Sequence, residues 1–499
     1  MSTQNRKDQV QAHLFVMGRL SGGLLRADPD AAETPSTRTW RGLVWGVLLV
    51  VLACLVTTLY GLIRPGGATS WKEPGTLVLV RETGARYLFV DGALHPVLNE
   101  ASARLIAGDR LRVTDVAENS LAGTERGPAL GIVGAPDGLP AAGLPRETWS
   151  VCALPGSSSP DGPPLTSIAV GVAGTVTGLD ESRGVLVSAP DEGLQLVWNG
   201  RRFAVDGEHG TKAALGWAGV VATRVAPSFL QSLDAGPPLA PPEVARRGAA
   251  GPRLSGAATR IGQLFTASGQ HYLLTEEGLV PLGALDRLLL SGDPRTQRDA
   301  YKGAEVRELS LGPADLAAHT APASVTVGNP ALPRTAPGVS SVDPDESVVC
   351  VRTAPTDDGW LTTVALAARG SVPGTVPAVQ VSVSASCTPA DRVWVRPGSG
   401  ALVRARSGAG TGSSEYLVTD AGVSYPLAPR AAQQLGYQAS SAVRLPYRLL
   451  RLFPQGPLLD PAAANRAGPE TAGGPNAGGA ERPRPDRSYT AARKCGTED

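Results

Sequence analysis

Residues 42–63 read GLVWGVLLVVLACLVTTLYGLI, 22 consecutive positions without a charge. At about 1.5 Å per helical residue this stretch covers roughly 33 Å, enough to cross a hydrocarbon layer of about 30 Å. A core helix has no need of so long an uncharged run. The apolar region of a cleaved leader is shorter, about 7–15 residues, whereas 41 residues precede this one and no A-x-A site follows. Trp40, Trp45 and Tyr60 lie near its two ends, where amphipathic rings favour the lipid–water interface. The expectation is a single-pass protein of the cell membrane. Basic residues do not orient it, because Arg26, Arg38 and Arg41 on one side balance Arg64, Lys72 and Arg81 on the other. Length does: a short arm stays in the cytoplasm and the large C-terminal part is extracytoplasmic.

The arm, residues 1–41, is too short for a folded signalling domain. Within it Val10, Leu14 and Met17, with Leu24, recur at helical spacing. This pattern suits a helix lying on the bilayer or one that docks on another membrane protein.

The rest of the chain is punctuated by turns. Of 499 residues, 60 are Gly and 43 Pro, about a fifth, which favours short elements over long helices. Charge nearly cancels, with 46 Lys and Arg against 45 Asp and Glu, so nothing marks a nucleic-acid binder.

Four segments share one plan, a sign of internal repetition. They are residues 64–130, 184–240, 241–316 and 400–462. Each has an apolar strand, a second strand, a two-residue turn, a third strand and a helix of about ten residues. Gly92, Gly200, Gly278 and Gly422 take the turn position that needs positive φ. Asn99 is a candidate helix N-cap, and Gly108 and Gly292 are candidate stops. A further short strand and a Gly-Pro pair follow, at Gly127-Pro128, Gly236-Pro237, Gly312-Pro313 and Gly456-Pro457.

Between the repeats lie two stretches, 131–183 and 317–399, read as halves of a duplicated β-rich core. ETWSVCALPG around Cys152 and ESVVCVRT around Cys350 occupy matching places in them. A Cys152–Cys350 bridge is favoured, with Cys387, in the expected strand QVSVSASC, as the competing partner. Residues 463–499 have almost no apolar content and are read as a disordered tail. The fold class is α+β: one transmembrane helix, then four β-β-β-α repeats around a duplicated core.

No local motif carries catalysis. None of the five lysines follows a glycine, which excludes a Walker A loop, and no G-x-S-x-G elbow occurs. His13, His95, His209, His271 and His319 are scattered without ligand spacing, so no metal site is expected. His95, in the turn before Pro96, reads as structural, and the acid pairs Glu276-Glu277 and Asp357-Asp358 read as solvated turns.

Several stretches resemble the EccB family, a single-pass component of type VII (ESX) secretion systems. They are KDQVQAHLFVMGRL from Lys7, TGARYLFVDGALHPVLNEASARL over 84–105, WSVC at Trp149–Cys152 and LLRLFPQGPLLDPAAA over 449–464. The resemblance implies a structural subunit of the export core complex. Its implied partners are an EccC-type motor ATPase, EccD- and EccE-type membrane subunits and other copies of itself, with the arm contacting neighbours. It also implies two alternatives. One is ATP hydrolysis, with ATP the only cofactor in prospect. The other is a stand-alone ectodomain that binds cell-wall components.

Overall fold

The computed structural model describes residues 4–26, 35–63, 69–141, 144–156, 162–172, 176–406 and 413–466. The chain divides into two compact units. One comprises residues 1–73, 78–85 and 114–125; the other comprises 74–77, 86–113 and 126–499.

The first unit contains two long helices, α1 (Gln4–Arg26) and α2 (Pro35–Ile63). Within α2, Thr39–Tyr60 is long and apolar enough to cross a membrane and none of it is buried.

The remainder is sheet-rich. The first segment forms β1 (Thr76–Val80), β2 (Arg86–Val90), β3 (Ala93–Pro96), α3 (Glu100–Ala107) and β4 (Arg112–Val116), with strand order β3-β2-β1-β4. First-half core strands follow: β5 (Trp149–Leu154), β6 (Leu165–Val170) and β7 (Val176–Gly178). The second segment holds β8 (Arg183–Ala189), β9 (Gly193–Trp198), β10 (Arg201–Ala204), α4 (Thr211–Ala214), β11 (Thr223–Arg224), α5 (Pro227–Gln231) and β12 (Asp234–Ala235), in the order β11-β8-β9-β10-β12. A separate hairpin, β13 (Ala250–Leu254) and β14 (Ala257–Arg260), precedes the third segment. That segment has β15 (Leu264–Ala267), β16 (Gln270–Thr275), β17 (Gly278–Leu282), α6 (Ala284–Gly292), β18 (Leu309–Ser310) and α7 (Pro313–His319), in the order β17-β16-β15-β18. Next come β19 (Gly338–Val339), β20 (Ser347–Pro355), β21 (Trp360–Ala368) and β22 (Arg392–Val395). The fourth segment holds β23 (Gly400–Arg406), β24 (Ser413–Thr419), β25 (Ser424–Leu427), α8 (Ala431–Gln434), β26 (Val443–Pro446), α9 (Tyr447–Leu450) and α10 (Pro461–Ala464), in the order β25-β24-β23-β26.

Turn chemistry explains the first two hairpins. Asp91-Gly92 (φ 51° and 83°) and Asn199-Gly200 (φ 46° and 69°) are two-residue turns with both residues left-handed, which matches the strand twist. The other two depart from the expected turn. Glu276-Glu277 make the third turn, and Gly278, though at the expected positive φ (123°), already belongs to β17, where a side chain would strike the His319 carbonyl. In the fourth, Asp420, Ala421 and Gly422 form a three-residue loop, with Gly422 at φ 72°. The expected helices of about ten residues are also shorter. α3 has 8 and α6 has 9 residues, but α4 and α8 are single turns of 4. Asn99 does cap α3, its side chain accepting from the Ser102 amide.

In three of the four segments the chain at the Gly-Pro pair runs alongside the third strand. Leu130 N donates to Pro96 O at 2.8 Å, Leu239 N to Ala204 O at 2.7 Å and Leu459 N to Pro426 O at 2.9 Å. Three outer strands are thereby covered along their open edge. Contact requires the glycine: a side chain on Gly127, Gly236 or Gly456 would fall inside the ring of His95, Phe203 or Tyr425. His95 is held there by its Nδ1–H, which donates to Pro128 O at 2.9 Å. In the third segment Val280 stands before Pro281, Gly312 meets nothing, and the pair begins α7 instead.

The central sheet runs β22-β6-β5-β20-β21-β7. One face, with Trp149, Val151, Ile168, Val349, Val351 and Val364, is buried against Val187, Phe229 and Leu230 of the second segment and Val403, Leu445, Leu450 and Phe453 of the fourth. Trp149 meets Phe453 edge to face at 5.6 Å. The outer segments attach through helices. Ala101 and Leu105 of α3 pack with Ala431, Ala432, Leu435 and Ala464. Leu285 and Leu289 of α6 pack with Phe203, Leu215 and Trp217.

Two expectations are corrected. QVSVSASC is not a strand: Gln380 to Val383 make a turn and Ser384 forms an isolated bridge with Gln455. The tail does not begin at 463, because Ala464 is fully buried in α10. The rest of that tail, 467–499, lies outside the described residues.

Candidate functional site

On α1, Val10, Leu14 and Met17 are 58%, 65% and 54% exposed, so no described residue covers them. Phe15, Val16 and Leu20 are exposed as well, spreading apolar surface beyond one stripe of the helix. On α2, Trp40, Trp45 and Tyr60 are exposed too.

Cys152 and Cys350 face each other on the paired strands β5 and β20 and form a disulfide with 4.1 Å between their α-carbons. Cys387 is itself disulfide-bonded, so it does not compete for Cys152. Cys54 in α2 is free.

Charged side chains elsewhere form internal ion pairs. Asp293 is buried and paired with Arg247 at 2.5 Å and Arg295 at 3.1 Å, and Arg295 reaches Glu243 at 2.8 Å. Burial opposes ionisation of Asp293, but hydrogen bonds from Arg295 and Arg247 outweigh it and hold the carboxyl below its usual range. His271 and Arg287 both bond Glu308, at 2.8 and 3.1 Å. Arg448 grips Asp234 with both terminal nitrogens and donates from Nε to Ser232 O at 2.7 Å, joining the second segment to the fourth. Sequence reasoning missed these groups. Their members lie up to 216 residues apart and carry no motif.

Tyr425 is pushed up to about 12 by burial, which suits its packing role beside Gly456. Burial raises the Asp286 carboxyl, yet among the described residues it bonds no other titratable group that would make an acid–base pair.

Two cavities stand out. One of about 400 Å³ is lined by Arg246, Glu276, Glu277 and His319, with Arg246 already paired to Glu276 at 2.8 Å. Another of about 360 Å³ carries Asp137 and Asp420. Asp137 is itself paired with Arg86 at 2.6 Å. Among the described residues no group of three His, Cys, Asp or Glu is placed to hold a metal ion.

A helix long and apolar enough to cross a membrane, joined to a disulfide-linked, sheet-rich domain, describes a membrane-anchored class of protein. Residues 2–470 match the family model for the type VII secretion system ESX-1, transport TM domain B, and the chain belongs to that family. It is a membrane subunit of a type VII secretion system. Relatives include an ESX-3 secretion system ATPase EccB3 of Mycolicibacterium smegmatis, 27% identical over 91% of this chain and 89% of the relative. An ESX-2 secretion system ATPase EccB2 of Mycobacterium tuberculosis is 29% identical over 93% and 95%. The EccB3 dimer from the ESX-3 core complex superposes with TM-score 0.61 and 25% identity, over 78% of this chain and all of that one. A chain of the intact ESX-5 inner membrane complex shares the fold, with TM-score 0.60, 23% identity and 98% coverage of both chains.

Proposed function

We propose that this chain is the structural subunit that anchors and assembles the membrane complex of the export machinery. The observation that carries this is the division of its surfaces: α1 and α2 leave their apolar side chains uncovered, while the large unit's strongest polar groups are consumed in internal pairs. In this reading residues 1–41 are a cytoplasmic arm and 42–63 the span. Four repeats (64–130, 184–240, 241–316 and 400–462) surround a duplicated core (131–183 and 317–399) outside the membrane. The similar strand orders of the four segments support the repeat. Partners are EccC-type motor, EccD- and EccE-type subunits and other copies of the chain. Solved relatives described as a dimer and as part of an inner membrane complex support self-association and a membrane assembly. In blue-native gels, Leu14→Asp with Met17→Asp should release the protein from its complex while the large unit stays folded. An unchanged complex would sink this reading.

ATP hydrolysis is the competing reading, favoured by the relatives' names. It requires turnover by the purified full chain that persists after contaminants are removed and disappears in a single ectodomain variant. A stand-alone cell-wall receptor would instead retain peptidoglycan in pull-downs without any partner subunit.

A further inference from the structure

We propose that the cavity between residues 134–138, 380–381 and 419–425 binds a primary ammonium set beside a carbonyl, the group that opens a peptide chain. Three stretches remote in sequence build its walls, and each is fixed in place. Gly134 (φ 82°) seats directly on residue 381, because a side chain there would strike the Val381 carbonyl. Pro136 O accepts from Ala101 N at 3.2 Å. Asp137 Oδ1 accepts from Glu100 N at 3.2 Å and from Arg86 Nη1 at 2.6 Å, so the loop is tied to α3 and β2. Just after residue 381, Ser384 and Gln455 exchange two backbone hydrogen bonds, each 2.9 Å. The Tyr425 ring lies against the Gly456 backbone. The volume, about 360 Å³, is at the small end of the range for small-ligand sites, about 300–1,000 Å³.

Its polar groups are ones the fold leaves unspent. Thr419, at the end of β24, is 1% exposed, and its Oγ1 has no hydrogen-bond partner among the described residues. Buried hydroxyls are almost always bonded. Tyr425 is equally buried, and burial alone, with no hydrogen bond contributing, pushes its phenol up to about 12. The phenol therefore stays protonated at neutral pH and offers a donor. Asp420 spends Oδ2 on Gly398 N at 2.8 Å. Asp137 shares its charge with Arg86, whereas Asp420 makes no ion pair among the described residues.

These groups fit one chemistry. An ammonium meets the Asp420 carboxylate through a charge-assisted hydrogen bond. The Thr419 and Tyr425 hydroxyls supply donors for the neighbouring carbonyl oxygen. Ala135, Val381 and Ala421 give a short aliphatic side chain its contact. No basic side chain lines the cavity, so an anion finds no counter-charge there.

Saturation-transfer NMR on the full chain in detergent micelles tests this with alanyl-alaninamide, which carries the ammonium and no carboxylate. Its methyl protons should receive saturation from the protein and none from micelles alone. The uncharged N-acetyl-alanyl-alaninamide should receive none. Asp420→Asn keeps an acceptor for Gly398 N and removes the charge. Thr419→Val exchanges the unpartnered hydroxyl for a methyl. Each should weaken binding at least about tenfold with the unfolding midpoint unchanged. Asp345→Asn, outside the lining, should bind as the wild type does. No transfer to the amine probe, equal transfer to the acetylated one, or undiminished binding by both cavity variants would overturn the assignment.

Discussion

A side chain on Gly456 would overlap Cε1 and Cδ1 of Tyr425, so the ring and the glycine backbone share one contact. The same relationship joins Gly127 to His95 and Gly236 to Phe203. Gly456→Ala should cost about 1–3 kcal/mol, the usual range for overpacking. Gly312→Ala, facing open space, should stay within about 0.5 kcal/mol. Urea unfolding of both variants checks the pair; equal losses would refute the contact.

Removing the bridge between Cys152 and Cys350 should be far more costly. The double variant Cys152→Ser, Cys350→Ser releases a link across a separation of 198 residues, between strands from the two halves of the core. About 2–5 kcal/mol is expected, read as a lower urea midpoint. Reductant should shift the wild type at least this far and the variant much less, since in the variant only the bridge at Cys387 is left to reduce.

Asp293 should make stability acid-sensitive. Its folded pKa lies below that of the unfolded carboxyl, about 3.9. Its contribution is therefore complete above that value and is lost as pH falls through the folded one. Asp293→Asn should flatten this acid limb. The Arg247 side chain is only 7% exposed, and stranding a buried charge costs about 3–5 kcal/mol. Unfolding midpoints measured from pH 6 downward test both effects.

Orientation is open to chemical labelling. In a Cys54→Ser background, Val379→Cys, where Val379 is 75% exposed, should react with an impermeant maleimide added to intact cells. Val10→Cys in the arm, where Val10 is 58% exposed, should react only after lysis. The reverse pattern would invert the topology.

What the sequence revealed was local. The uncharged run announced α2, Asp91-Gly92 and Asn199-Gly200 announced their hairpins, and the recurrent Gly-Pro pairs were visible before their role was. What it concealed was distant. Nothing near Arg448 names Asp234, 214 residues away, as its partner. α4 and α8, by contrast, stop after single turns for a local reason, a left-handed glycine following each, Gly216 (φ 78°) and Gly436 (φ 90°). The β13–β14 hairpin escaped notice because Gly251 and Pro252 interrupt any alternating pattern, and its pairing shifts register there.

The interleaving of the central sheet imposes an order of events on a nascent chain. β6 awaits β22, more than two hundred residues downstream, and β7 closes against β21. Contacts this remote in sequence form slowly. The second and third segments thus emerge while β5 and β6 still present bare backbone, and only synthesis past Val395 lets the sheet close.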